Sequence, residues 1–277
     1  MFRFNFDETA EASSAASAAA PLPMAKRPAK LHTESSLQVC DDYFMPVTVG
    51  GALLAVVNQQ HPLFVQNTGA LQKLLTTHDL ETGVYEGGFK LWECSIDLIE
   101  YLQQHKADFP IGDRGLRVME LGCGHGLPGI FALQQGASHV LFSDYNSEVI
   151  ELATIPNTLR CAGDRLQHAS FYSGDWAHVS EAMAATGAIE DAYDLILTAE
   201  TLYTEDVTSA LLAMIKRHLK RSGVALVAAK TYYFGTGGSV HHFKDLVARE
   251  GDMVATTVWN GNDCRSNIRE IVQVTYK

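Results

Sequence analysis

The spacing of apolar residues separates a C-terminal part of the chain, which alternates between strand and helix patterns, from an N-terminal part that does not. From residue 115 onward, short apolar runs bounded by glycine or polar residues predict strands, and longer segments with apolar residues every three or four positions predict helices. This alternation is typical of a parallel sheet with crossover helices, so we expect one doubly wound, seven-stranded α/β sheet. The predicted strands are Leu116–Leu121, His139–Ser143, Ala169–Tyr172, Tyr193–Thr198, Val224–Ala229, Met253–Trp259 and Glu270–Tyr276.

Proline and glycine mark the ends of the predicted helices. A helix from Pro128 to Gln135 begins with a proline, which fits the first turn, and precedes Gly136, which fits a C-terminal cap. The next helix begins near Asn146 and contains Pro156, where we expect a kink or a break because proline has no N–H group. Two further helices are predicted, over Val207–Lys220 and from Val240 onward.

The first part of the 277-residue chain differs in composition from the rest. The stretch Ala10–Lys30 is rich in alanine, serine and proline, so it cannot bury enough apolar surface to offset the entropy of ordering. We therefore expect a largely disordered N-terminal arm over 1–35, and a single domain with an N-terminal extension over 36–277. Within the arm, the alternating phenylalanines of Phe2–Phe6 predict a short strand or an anchor onto the domain.

Composition argues against several classes of function. The net charge of −11 argues against a broad nucleic-acid footprint and is compatible with a basic protein partner. No run approaches the about 18 apolar residues of a membrane span, and the N-terminus lacks the basic start and apolar core of a signal peptide. The scattered cysteines and histidines predict neither a disulfide framework nor a metal site. We expect a monomeric, soluble protein of the cytoplasm and nucleus, since the basic cluster Lys26–Lys30 is compatible with nuclear entry.

A glycine-rich loop follows the first strand of the predicted sheet. Gly122, Gly124, Gly126 and Gly129 stand where the strand turns into a helix, and glycine allows a backbone to pass close to a ligand. The loop contains a literal G-x-G-x-x-G, and Asp144 follows Gly124 by 20 residues (144 − 124), which is the pattern of dinucleotide sites. On this pattern alone, a nicotinamide cofactor and a dehydrogenase function are candidates.

S-adenosylmethionine accounts for more of these residues than a dinucleotide does. Its ammonium and sulfonium cations suit the carboxylate of Glu120 at the end of the strand, whereas a pyrophosphate beside that carboxylate would be unfavourable. Asp144 can accept hydrogen bonds from two ribose hydroxyls. After the third predicted strand, Gly174 precedes Asp175, a carboxylate for an adenine amine, and Trp176, an apolar wall. Because ligands of open α/β sheets lie beyond the carboxyl ends of strands, we expect the methyl donor there.

Six short motifs stand in the order in which a known family of enzymes carries them. They are Tyr85–Cys94, Leu121–Gly124, Asp144–Asn146, Gly174–Trp176, Asp194–Tyr203 and Tyr232–His241. The set resembles the protein-histidine N-methyltransferases, enzymes with a Rossmann-like, mostly parallel sheet of seven strands whose last strand is antiparallel. The resemblance implies transfer of a methyl group from S-adenosylmethionine to a histidine imidazole nitrogen, with a large-subunit ribosomal protein as the substrate.

The residues and the resemblance together predict the cofactor site. We expect it to draw on the start of one helix and on the ends of four strands. The predicted cofactor-binding residues are Trp92, Glu93, Cys94, Asp97, Glu120, Gly122, Gly124, Ser143, Asp144, Tyr145, Gly174, Asp175, Trp176 and Ala199.

The expected reaction is a direct in-line attack of an imidazole nitrogen on the sulfonium methyl group. A neutral imidazole has one nitrogen with a free lone pair, so the enzyme has to orient the ring and select its tautomer rather than supply a strong base. A carboxylate or a carbonyl that accepts a hydrogen bond from the other nitrogen would fix the tautomer. We place Glu200 or Asn146 near the methyl group, although Glu200 could instead cap the following helix. The side chains expected to shape the imidazole pocket are Tyr203, Tyr232, Tyr233 and Phe234, unless the aromatic run packs against the sheet edge.

Two alternatives to histidine methylation stay open at this point. The segment Glu200–Tyr203 fits the acid-x-x-aromatic motif of the wider family, most of whose members methylate lysine, so lysine methylation is one alternative. The other is a protein that binds the cofactor and assists ribosome assembly without turnover.

Overall fold

A computed structural model of the protein describes residues 27–33, 37–69, 71–75, 80–113, 115–186, 193–261 and 268–277. In this part of the chain, eight strands form one mixed sheet and two more form a separate hairpin. The strands are β1 (Lys30–His32), β2 (Phe44–Val49), β3 (Ala52–Val57), β4 (Arg117–Leu121), β5 (His139–Asp144), β6 (Ala169–Ser173), β7 (Tyr193–Ala199), β8 (Leu219–Lys230), β9 (Met253–Gly261) and β10 (Arg269–Tyr276). The helices are α1 (Pro62–Asn67), α2 (Leu71–Leu75), α3 (Glu93–Gln104), α4 (Leu127–Gln134), α5 (Ser147–Val149), α6 (Ile155–Ala162), α7 (Trp176–Ala185), α8 (Glu205–His218) and α9 (Val240–Glu250).

The large sheet has the strand order β1-β6-β5-β4-β7-β8-β10-β9. The pairs β4–β5, β5–β6, β4–β7 and β7–β8 are parallel, and β10 is antiparallel to both β8 and β9. The prediction of a mostly parallel sheet with an antiparallel last strand is confirmed. The order reverses at β4, and such a switch point opens a crevice at the carboxyl ends of the strands.

Apolar side chains cover both faces of the sheet. On one face a buried cluster joins the strands to α3 and α4, with Leu98, Phe131 and Phe142 among its members. On the other face a second cluster joins them to α8 and α9 through residues such as Leu211 and Phe243. Helices on both faces bury the central strands, which explains why those strands are continuous apolar runs. None of the helices in the described ranges combines the length and the apolar character that crossing a membrane requires.

The helix after β5 continues past Pro156. α5 leads through a π-helical turn, Ile150–Thr154, directly into α6, so the expected kink or break takes the form of a π-helical turn. Proline lacks an N–H group, which removes the usual partner of the Leu152 carbonyl four residues earlier. The Tyr43 hydroxyl donates a hydrogen bond to that carbonyl at 2.8 Å. The Leu152 carbonyl, which lacks its usual helical partner, is therefore satisfied by a side chain from outside the helix.

The N-terminal arm differs from its prediction in residues 27–33. The strand Lys30–His32 pairs antiparallel with β6 and adds an eighth strand at the edge of the sheet. Its His32 is 5% exposed and lies 2.8 Å from the Ser173 hydroxyl. This order depends on distant partners, which composition does not indicate. The predictions for Phe2–Phe6 and for the rest of residues 1–26 lie outside the described residues. The predicted boundary between the arm and the domain, at residues 35 and 36, lies outside them as well.

A hairpin of β2 and β3 precedes the main sheet and was not among the predicted elements. Gly50 and Gly51 join its strands with φ values of 56° and 76°, which suits the left-handed turn of a two-residue hairpin. Just before β2, Tyr43 packs in a buried cluster with Tyr85 and Phe89. The N-terminal extension, which contains Tyr43 and this hairpin, therefore supports the segment Tyr85–Phe89, which borders the site described next.

Candidate active site

A cavity opens at the carboxyl ends of β4 to β7, where a doubly wound sheet binds its ligands. It encloses about 930 Å³ of space, counting its open mouth. A concave, mostly apolar lining with a few polar groups is typical of small-molecule sites. The predicted site residues that line it are Trp92, Glu120, Gly122, Gly124, Asp144, Tyr145, Gly174, Asp175, Trp176, Ala199, Glu200 and Tyr203.

Glu120 lies beneath the glycine loop at the end of β4. Its Oε2 accepts a hydrogen bond of 2.8 Å from the backbone N–H of Gly129 in the first turn of α4. A Cβ atom at Gly129 would lie 2.6 Å from that oxygen, so a residue larger than glycine would displace the carboxyl group. Burial raises the pKa of Glu120 well above its usual value. Glu120 therefore orients the glycine loop, and a cation in the cavity would favour its ionised form.

Asp144 ends β5 and joins two parts of the cavity wall. Its Oδ2 accepts a hydrogen bond of 2.9 Å from the N–H of Gly124, and its Oδ1 accepts one of 3.1 Å from the N–H of Asn146. Burial raises the pKa of Asp144 to about 6, against the lowering effect of these hydrogen bonds. A carboxylate has about four acceptor positions. Asp144 can therefore accept ribose hydroxyls in addition to its backbone donors.

The end of β6 forms the wall expected beside an adenine ring. Gly174 has a φ of 124°, and a Cβ there would lie 2.6 Å from the carbonyl oxygen of Pro28. The Asp175 side chain caps α7 by accepting a hydrogen bond of 2.9 Å from the Ala177 N–H. The backbone N–H of Asp175 donates to the Arg27 carbonyl at 3.1 Å. Residues 27 and 28 thus hold this wall in place, a contribution that the sequence did not predict.

Glu200 follows β7 directly and has a backbone φ of 61°, the one positive φ of a non-glycine residue in the described ranges. Such a conformation costs about 1–3 kcal/mol and is concentrated at functional sites. Its Oε2 accepts a hydrogen bond of 2.7 Å from the Tyr233 hydroxyl. Its Oε1 is buried without a hydrogen bond in the described part of the chain and lies 3.6 Å from Lys230 Nζ. The cap of α8 is Thr204, whose hydroxyl accepts from Val207, so the alternative in which Glu200 caps that helix is wrong.

Glu86 lines the same cavity and was missed among the predicted site residues. Its Oε2 accepts a hydrogen bond of 2.5 Å from the Tyr203 hydroxyl, and its Oε1 accepts one of 2.6 Å from the Gly83 N–H. Burial raises the pKa of Glu86 above its usual value. The available signal was its position inside the motif Tyr85–Cys94, between a buried aromatic residue and two glycines.

Asn146 supports the Glu86 segment and does not line the cavity. Its side chain is fully buried, and its Oδ1 accepts a hydrogen bond of 3.0 Å from the Glu86 N–H. Its Nδ2 donates to the Val84 carbonyl at 2.9 Å. Backbone groups therefore occupy both the oxygen and the nitrogen of the amide. Of the two residues predicted near the methyl group, Glu200 lines the cavity and Asn146 does not.

The aromatic run after β8 divides between the site and the surface. Tyr233 is partly buried, and its hydroxyl reaches Glu200. Its neighbours Tyr232 and Phe234 are 52% and 84% exposed. The chain leaves β8 at Lys230 and enters a turn at Phe234. All three residues of this run lie outside the cavity lining, and of them Tyr233 contacts Glu200, while Tyr203, the fourth residue predicted to shape the imidazole pocket, lines the cavity.

Four predicted cofactor residues also lie outside the lining. Glu93 is exposed in the first turn of α3, whereas Cys94 is buried beside Glu200. Asp97 forms a buried ion pair with Arg269, at 2.5 Å between Oδ2 and Nε. Ser143 is fully buried within β5. The physical reason is the helical period of α3, which turns Cys94 and Asp97 toward β8 and β10 rather than toward the glycine loop.

One group in the described ranges brings together side chains that can ligate a metal. Cys40, Asp42 and His61 place one ligand atom each within 4.8 Å of one another, although the spacing of cysteines and histidines predicted no metal site. His61 Nδ1 accepts a hydrogen bond of 3.2 Å from the Leu63 N–H, so the ring proton sits on Nε2. Nε2 lies 3.6 Å from Asp42 Oδ2 and 3.9 Å from Cys40 Sγ.

Comparisons with known proteins agree with this geometry. A family model described as "Lysine methyltransferase" matches residues 72–246. A histidine protein methyltransferase 1 homolog from Dictyostelium discoideum is 45% identical over 206 residues, which cover 74% of this chain and 63% of that protein. A protein of the same name from Bos taurus is 37% identical over 200 residues, covering 64% of this chain and 52% of that protein. The chain thus spans between about half and two thirds of the length of the curated relatives it matches.

A solved structure supports the fold. Magnesium protoporphyrin IX methyltransferase from Synechocystis, determined with bound SAH, has a TM-score of 0.51 at 14% sequence identity. The match covers 67% of this chain and 83% of that one. Likeness at this identity concerns the fold alone, whereas the family model and the sequence relatives identify the family. The chain therefore belongs to this methyltransferase family, and the curated relatives that it matches at 37–45% identity are histidine protein methyltransferases.

Proposed function

We propose that the protein transfers a methyl group from S-adenosylmethionine to an imidazole nitrogen of a histidine in a protein substrate. The observation that carries the proposal is the Glu200 carboxylate. It is 8% exposed, lines the cavity and keeps Oε1 without a hydrogen bond in the described residues. A neutral imidazole offers the N–H group that such an oxygen accepts.

The proposed cofactor site is formed by the ends of β4, β5 and β6. Bound S-adenosylmethionine supplies an electrophilic methyl group on a sulfonium. Asp144 would accept the ribose hydroxyls, and Asp175 and Trp176 would face the adenine. The backbone of the glycine loop, held by Glu120, would face the methionine part of the cofactor.

In the proposed reaction Glu200 selects the tautomer of the acceptor. Its Oε1 accepts the N–H of one imidazole nitrogen, which leaves the lone pair on the other nitrogen facing the methyl group. The bound cofactor would supply its methyl group to that lone pair, so that the new N–C bond would form as the methyl–sulfur bond breaks and its electron pair stays on sulfur. The imidazolium then loses its N–H proton toward the carboxylate and the solvent. Tyr233, which donates to Oε2 at 2.7 Å, keeps the carboxylate in orientation throughout.

We further propose that the substrate is a basic protein, namely a large-subunit ribosomal protein, either free or in a pre-ribosome. The resemblance of the sequence motifs supports this substrate, and the net charge of −11 suits a basic partner. The same proposal places the protein in the cytoplasm and nucleus, where ribosomal proteins are made and assembled.

Methyl transfer to a ribosomal-protein fraction tests the proposal. The protein is incubated with that fraction and isotopically labelled S-adenosylmethionine, and the modified residue is mapped by mass spectrometry of the digested proteins. We expect label on a histidine of a large-subunit protein, and none when Asp144→Asn replaces the wild-type protein. Label on lysine would favour the activity for which the matching family model is described. A result in which no histidine carries label would contradict the proposal.

A further inference from the structure

A lysine side chain is fixed beside the carboxylate of Glu200. Lys230 ends β8, and its Nζ lies 3.6 Å from Glu200 Oε1, with the two side chains 17% and 5% exposed. The same Nζ lies 4.8 Å from the centre of the Trp92 ring and 5.9 Å from that of Tyr233. Contacts of this kind with aromatic faces stabilise a cation. Lys230 is therefore a largely buried charge with a defined position, unlike a solvated surface lysine.

Among the described residues, Lys230 is the counter-charge that lies beside Glu200 Oε1. Asp97 is neutralised by Arg269. Burial, followed by the negative charge of Glu200, raises the pKa values of the Cys94 thiol and the Tyr233 hydroxyl well above their usual ranges, so both groups stay protonated. The opposite charges of Glu200 and Lys230 therefore largely cancel where they meet. Glu86 and Lys90 also line the cavity, with Lys90 Nζ 4.4 Å from the centre of the Trp92 ring.

We propose that Lys230 determines the acceptor specificity of the site by offsetting the charge of Glu200, so that the pocket accepts a neutral imidazole and disfavours an ammonium group. This inference rests on the proposed function. An imidazole is mostly uncharged near neutral pH, whereas a lysine side chain carries a full positive charge. A buried carboxylate without a counter-charge would attract an ammonium strongly, and the ammonium of Lys230 opposes the entry of a second one. Lys230 acts here through the charge of the pocket and not by contact with the reacting atoms.

The charge of the pocket can be measured with two cofactor analogues. S-adenosylhomocysteine lacks the methyl group and has no charge at sulfur, whereas sinefungin carries a primary ammonium at the position of the transferred methyl group. Their dissociation constants are measured by calorimetry for the wild-type protein and for Lys230→Met, Lys230→Gln and Lys230→Arg. The matched control is Lys244→Met, because Lys244 lies 3.3 Å from Glu270, the pair has side chains 28% and 8% exposed, and neither residue lines the cavity.

The quantity that tests the inference is the preference for sinefungin, expressed as the S-adenosylhomocysteine dissociation constant divided by that of sinefungin. We expect Lys230→Met and Lys230→Gln to raise this ratio by about tenfold or more, because Glu200 is then uncompensated. Lys230→Arg, which keeps the charge, and Lys244→Met should leave it within about twofold of the wild-type value.

Two results would overturn the inference. One is an unchanged ratio in Lys230→Met and Lys230→Gln while both still bind S-adenosylhomocysteine. The other is a loss of binding of both analogues to both variants, because Lys230 would then be part of the cofactor site. The measurement needs no acceptor protein, so it is separate from the proposed function, which fails if the wild-type protein does not methylate histidine.

Discussion

Replacing Glu200 with glutamine removes the charge of the proposed tautomer-selecting group and keeps its shape. In the proposed reaction, positive charge develops on the imidazole next to Oε1, and two unit charges about 4 Å apart interact by about 4 kcal/mol at an effective dielectric constant of 20. Glutamine can still accept the N–H, so we expect a loss of about 2–4 kcal/mol in transition-state stabilisation, or about 30- to 900-fold in kcat. The uncompensated charge of Lys230, 3.6 Å from Oε1 in the wild-type protein, acts in the same direction.

The assay is single-turnover transfer of a labelled methyl group to the mapped acceptor protein. The affinity for S-adenosylhomocysteine, measured by calorimetry, should stay within about threefold of wild type, because the residues proposed to hold the cofactor are unchanged. Glu250→Gln is the matched control, since Glu250 pairs with Lys216 at 2.7 Å, away from the cavity lining. A Glu200→Gln enzyme with a kcat within about threefold of wild type would refute the proposed role of the Glu200 charge.

Three further predictions concern the cofactor and the acceptor surface. Because burial raises the pKa of Asp144 to about 6, the ionised form that accepts ribose hydroxyls is present above that pH and lost below it. Cofactor affinity should therefore fall by about tenfold from pH 7.5 to pH 5, and a flat calorimetric profile would contradict this role. Arg27→Ala removes a hydrogen bond of 2.7 Å to the Val84 carbonyl and should weaken cofactor binding by about fivefold. Lys30→Ala is its control, and equal affinities for the two variants would argue against a part for Arg27 in the site. Phe234→Ala should leave the melting temperature unchanged and raise KM for the acceptor protein several-fold, because Phe234 is 84% exposed and follows Tyr233, which contacts Glu200. An unchanged KM would remove Phe234 from the acceptor surface.

Local patterns were sufficient to predict the strands after residue 115 and the helices there, with the exception of α7. Glycine, proline and polar residues bound each apolar run there, so the predicted strands coincide with β4 to β10. The start of β8 is the main difference, since it begins at Leu219 whereas the prediction began at Val224. Lys220 pairs with Asp194 at 2.7 Å, and this contact between neighbouring strands extends β8 beyond its apolar centre.

The elements that the sequence did not reveal depend on distant partners. β1 has an alanine- and proline-rich surrounding, and its strand conformation follows from pairing with β6. Glu86 stands in a loop, and its approach to Tyr203 depends on the packing of a segment 117 residues away in sequence. The division of Tyr232, Tyr233 and Phe234 between site and surface likewise depends on where Glu200 lies.

More of the predicted cofactor residues than of the predicted acceptor residues line the cavity, for a physical reason. Most of the predicted cofactor residues in the lining follow the ends of parallel strands, and strand order alone brings those ends together. The acceptor side combines a helix start, two loops and the end of β8, and its charges compensate one another through contacts such as that between Lys230 and Glu200. Such contacts are a property of tertiary structure.

The most direct test of the account is a crystal structure of the protein with S-adenosylhomocysteine and a peptide that contains the mapped acceptor histidine. We predict that one imidazole N–H lies about 2.7–3.2 Å from Glu200 Oε1 and that the other ring nitrogen faces the cofactor sulfur. An imidazole that is bound instead by Glu86 and Tyr203, with Oε1 of Glu200 turned away from the ring, would contradict the central claim.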